Sequence, residues 1–64
     1  MPTAVKEQSH NHRAAKVIRA EQDVQNNYHH LLQETEDPHI RSILRDLLLY
    51  EEMNELILRD MYKI

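Results

Sequence analysis

The sequence predicts an all-α fold, an antiparallel two-helix hairpin that dimerises into a four-helix bundle. Three features predict it. The 64 residues contain no glycine, so the tight glycine turns of β-hairpins are missing. A single clear break, Asp37-Pro38, falls beyond mid-chain. On both sides of it apolar residues recur three and four apart, which is one face of a helix.

Residues 1–10 lack this periodicity and are expected to form a flexible N-terminal arm, with Ser9 or Asn11 available to cap the first helix. That helix is expected over about residues 12–36. Asp37 is a good N-cap directly before a proline at the first helical position, where a missing N–H costs nothing. Proline also disfavours helix in the residue before it. The second helix is therefore expected over about residues 38–62. So short a connection forces the helices antiparallel.

Heptad-like spacing draws one stripe through Ala14, Val17, Glu21, Val24, Tyr28, Leu31 and Thr35. A second runs through Ile40, Leu44, Leu47, Glu51, Asn54, Leu58 and Met61. Ala15, Ile18 and Leu32 widen the first; Ile43, Leu48, Tyr50, Ile57, Tyr62 and Ile64 widen the second. The second helix thus has more apolar positions than one neighbour covers, and a chain this short is marginal alone. A homodimer or higher homo-oligomer is the expected partner. Its predicted interface is Val17, Val24, Tyr28, Leu31, Leu44, Leu47, Leu58 and Met61.

Composition removes several functions. Without cysteine there are no disulfides and no thiolate metal sites. Eight basic and eleven acidic residues are interspersed, giving a net charge of −3 and no basic track for nucleic acid. The longest apolar run, Leu47 to Tyr50, is too short to span a bilayer, so no membrane association is expected. A cytoplasmic location is the expectation. No serine–histidine–acid set shares a cleft, and no catalytic residues are predicted. His29 and His30 are adjacent, so they diverge on a helix and make a poor chelating pair.

Three stripe positions are polar. Glu21 lies sixteen residues before Asp37 and Glu51 fourteen after it, which places them at similar height in a hairpin. Asn54 shares the Glu51 face at i,i+3. Buried carboxylates need a partner or a cation. This layer therefore either pairs with Lys16, Arg19, Arg45 or water and fixes register, or holds a metal ion.

The stretch from Glu21 through Tyr28 to Asp37-Pro38-His39-Ile40-Arg41 resembles one hairpin of the ferritin-like superfamily, especially the rubrerythrin type. Such hairpins carry a glutamate seven residues before an aromatic, an acidic Asp-Pro connection, and Glu-x-x-His on the second helix. The resemblance covers roughly residues 13–62. It implies a dimer of hairpins with Glu21, Glu51 and Asn54 at the metal positions, and iron or manganese as the cofactor of a functional site. Asn54 stands where the family has histidine, and an amide is a poorer ligand than imidazole. That departure implies a degenerate member keeping the scaffold; from the residues alone no cofactor is expected. A weaker similarity, through Asp-Pro followed by Ile40-Arg41, is to spore-coat proteins of the coat F type, which implies a structural role in the spore. The expected function is a self-associating helical protein with a structural or partner-binding role. The alternative is a di-iron or manganese protein or oxidase assembled at the dimer interface.

Overall fold

A computed structural model describes residues 2–64, with side chains from residue 11 onward. Two antiparallel helices form a hairpin measuring 55 × 15 × 11 Å. Helix α1 spans Pro2–Glu34 and helix α2 spans Pro38–Tyr62. The flexible arm expected over residues 1–10 falls on residues whose side chains lie outside those described. Among the described residues there is no strand, and no helix is long and apolar enough to cross a membrane.

The connection is built as its local chemistry dictates. Asp37 has extended backbone, and its Oδ1 accepts from the N–H of His39 at 2.8 Å and of Ile40 at 3.2 Å. Pro38 comes next, at the position that needs no donor. The C-terminal carbonyls of α1 find a partner across the turn: the Arg41 guanidinium donates to the carbonyls of Leu32 and Thr35. A cation at a helix C-terminus also meets the favourable end of the dipole. α2 ends at Lys63, which sits in the left-handed region at φ 57° and donates its N–H to the Arg59 carbonyl. The Ile64 N–H reaches the same carbonyl at 3.1 Å.

The seam between the helices is rotated from the predicted stripes. On α1 it runs Ala14, Ile18, Glu21, Gln25, Tyr28, Leu32 and Thr35; on α2 it runs Arg41, Leu44, Leu48, Glu51, Glu55, Leu58 and Tyr62. Ala14, Ile18 and Leu48 are buried, and the others are half-buried. Of the predicted interface residues, Tyr28, Leu44 and Leu58 lie in this seam, while Val17, Val24, Leu31, Leu47 and Met61 are exposed. Two helices bury only a narrow seam of each other. Each of these helices carries a broader apolar face, so some of it must lie outside. Ile18 and Leu32, expected only to widen the stripe, lie in the seam.

The exposed remainder is ordered. On α2 a second heptad ladder runs Ile40, Ile43, Leu47, Tyr50, Asn54, Ile57 and Met61, spaced three and four throughout, and Ile64 follows just beyond the Lys63 cap. Its apolar members are between 40% and 63% exposed. On α1, Val17, Val24 and Leu31 recur every seven residues, each directly before a seam residue. Ile40, Leu47, Asn54 and Met61 precede seam residues of α2 in the same way. In antiparallel helices this common offset puts both sets on one broad side of the hairpin. Val17 and Leu58 accordingly line one hollow at the open end, together with Ala14 and Tyr62. The opposite side carries Arg19, Gln22, His29, Arg45, Glu52 and Arg59, with Leu49 and Leu56 exposed among them. One face of the hairpin is mostly apolar and the other mostly polar.

Candidate functional site

Polar side chains interrupt the seam in mid-length, and they fall into two groups with different electrostatics. The first opens on the polar face. Glu55 accepts from Gln25 Nε2 at 2.8 Å and from Gln22 Nε2 at 3.1 Å, both across the hairpin. Along its own helix it accepts from Arg59 Nε at 2.8 Å. Hydrogen bonds from Arg59 and then Gln25 hold the Glu55 carboxyl below its usual pKa, against the opposing effect of burial. Its acceptors are matched to donors, so this group is a structural clip.

The second group lies on the side of the apolar face. Glu21 of α1 and Glu51 of α2 meet across the seam, as their similar distances from the turn predict. The Glu51 carboxyl beside it raises the Glu21 pKa above its ordinary value; burial and the charges of Glu51 and Glu55 add to the rise. Glu21 Oε2 is buried with no hydrogen-bond partner. Such an oxygen is costly to leave unpaired. Asn54 lies about one turn further along α2 and outside the seam. It stands exposed in the α2 ladder, and among the described residues no hydrogen bond engages its amide.

The metal chemistry implied by the ferritin-like resemblance does not fit one hairpin. Glu21 and Glu51 supply two carboxylates and Asn54 supplies no imidazole. Among the described residues no three His, Cys, Asp or Glu side chains converge to hold an ion. The cations considered for neutralising the layer are engaged or placed elsewhere: Lys16 and Arg19 line a surface hollow with His12 and Ala15, and Arg45 lies on the polar side.

Sequence reasoning missed the clip. By spacing alone Glu55 and Arg59 are an ordinary i,i+4 surface pair, and nothing in the sequence joins Gln22 or Gln25 to them. The available signal was Gln25 itself, seven residues after Ile18 and seven before Leu32.

The fold and its polar layer define an all-α helical hairpin with one unpartnered apolar face. No family model, curated protein or solved structure matches the chain.

Proposed function

We propose that the protein is a self-associating helical scaffold with a structural or partner-binding role, in which two hairpins close a four-helix bundle across their apolar faces. The observation that carries it is the division of the surface. One side of the hairpin is mostly polar, with only Leu49 and Leu56 exposed among its charges and amides, and is clipped by Glu55, while the other offers ten half-exposed apolar side chains in heptad order.

Completing the burial of one half-exposed Leu, Ile, Val or Met contributes about 1 kcal/mol, which corresponds to about 40 Å² at ~25 cal/mol per Å². Ten such residues supply about 400 Å² of apolar area from each chain. A standard interface takes about 800 Å² per partner, of which a little over half is apolar. The face is the size a second copy requires.

Sedimentation equilibrium at micromolar concentration tests the proposal. A dimer or higher oligomer is expected, unchanged by a chelator and dissociated by Leu47→Glu with Ile57→Glu. A monomer at several hundred micromolar would refute it.

The unpaired Glu21 oxygen favours a second reading, in which the carboxylates of two hairpins combine to bind iron or manganese, as the rubrerythrin resemblance implies. Metal analysis after exposure to Fe²⁺ or Mn²⁺ decides it. Bound metal lost when Glu21 and Glu51 are both replaced by Gln supports this reading, and metal content indifferent to those changes removes it. The coat F similarity would assign the same scaffold to a spore layer.

A further inference from the structure

The apolar ladder of α2 contains a single polar side chain, and among the described residues a single buried side-chain oxygen is left without a partner. They lie close to each other along the hairpin. Glu21 faces Glu51, and Asn54 lies three residues beyond Glu51, so Glu21 and Asn54 are about one helical turn apart along the hairpin. One is an acceptor with nothing to accept from, and the other a two-donor amide with nothing to give to. Within the protomer they do not meet, because Glu21 lies in the seam and Asn54 on the exposed ladder.

We propose that the occupant of the apolar face is a second copy of this chain, and that Asn54 donates its amide N–H to Glu21 of that copy, reciprocally about a two-fold axis. This inference rests on the self-association proposed above and names its register and its specificity-determining residue. In an isologous interface each residue pair occurs twice, so one matched pair satisfies both orphaned carboxyl oxygens. A register that separates the pair sets Asn54 among apolar side chains such as Val17 or Val24 and leaves Glu21 without this donor, and both errors are costly. A lone buried amide in a heptad seam fixes register and copy number at some expense of stability. Six apolar rungs and Ile64 supply the attraction, and Asn54 selects the one alignment in which they meet.

The test uses isosteric changes in the full chain. Asn54→Asp places a carboxylate against the carboxyls of the second copy and is expected to weaken dimerisation about 30-fold, read by sedimentation equilibrium. Glu21→Gln replaces the acceptor with an amide that can donate. Equal amounts of the Asn54→Asp chain and the Glu21→Gln chain are then mixed and examined by native mass spectrometry. Heterodimers in clear excess over the statistical share are expected, because that pair restores a donor and an acceptor at both contacts. Asn54→Leu keeps the ladder wholly apolar and is expected to give a mixture of registers or oligomers.

The pairing is overturned if Asn54→Asp dimerises as the natural chain does, if the mixture is statistical, or if Asn54→Leu stays one homogeneous dimer. Each of those results leaves self-association standing. A natural chain that remains monomeric overturns both.

Discussion

Replacing Glu55 with Ala removes the mid-length clip between the helices, and its cost can be worked from the contacts. Three hydrogen bonds disappear, from Gln25 at 2.8 Å, Gln22 at 3.1 Å and Arg59 at 2.8 Å. A neutral bond contributes about 0.5–1.5 kcal/mol net, and a charge-assisted one more. The Arg59 side chain is 37% exposed, so solvent screening reduces its share to a few tenths. The expected loss is about 2 kcal/mol, a fall in Tm of roughly 8–16 °C for a chain of this size.

The pH dependence has a definite sign. Glu55 has a lowered folded-state pKa, so its stabilisation is present above the ordinary carboxylate range and lost as pH falls through the folded-state value. Glu55→Ala should therefore be most damaging near neutrality and converge on the natural chain in acid. Thermal melts by circular dichroism from pH 3 to 8, at matched chain concentration, measure both effects. A Tm within about 2 °C of the natural chain at pH 7 would refute the clip, as would a constant difference across the pH range.

Glu21 has the opposite sign. Its raised pKa means stability is lost as pH rises through the folded-state value, so Glu21→Gln should flatten that decline and raise the neutral Tm. Leu48→Ala should cost about 2–3 kcal/mol in chemical denaturation because Leu48 is buried, whereas Leu49→Ala, next to it and exposed, should cost little in the isolated hairpin. Asp37→Ala should lose about 1 kcal/mol in the same assay through the two capped N–H groups of α2. Lys63→Gly should add about 1 kcal/mol by relieving a left-handed non-glycine residue.

What was legible in the sequence was whatever is decided within a few residues. Asp37-Pro38 specifies a cap, a first helical position and a helix break through contacts of three residues or fewer, and the structure has that cap. The facing of Glu21 and Glu51 came from counting residues out from the turn, which needs only a constant rise per residue. The rotation of the seam could not be counted in this way. Periodicity identifies lines of apolar residues along a helix, but which line meets the neighbour depends on both helices together. Here the neighbour took Ile18 and Leu32 and left Val17 and Leu31 outside, with Gln25 inside where it reaches Glu55. The Glu55 clip was illegible for the same reason. Its partners lie 30 and 33 residues away, and nothing local distinguishes those amides from solvated ones.

The distribution of burial along the seam bears on how the hairpin closes. A three-residue connection brings Thr35 and Arg41 together within nanoseconds, and contacts further out join progressively larger loops. Yet the best-buried residues of α1, Ala14 and Ile18, lie toward the open end, opposite Leu58 and Tyr62. The turn is quick to form but gains little burial, because the buried residues are Leu48 at mid-length and Ala14 and Ile18 toward the open end. A hairpin arranged this way closes as a unit instead of fraying by degrees. Its amide exchange should show α1 around Ile18 protected as strongly as the residues beside the turn.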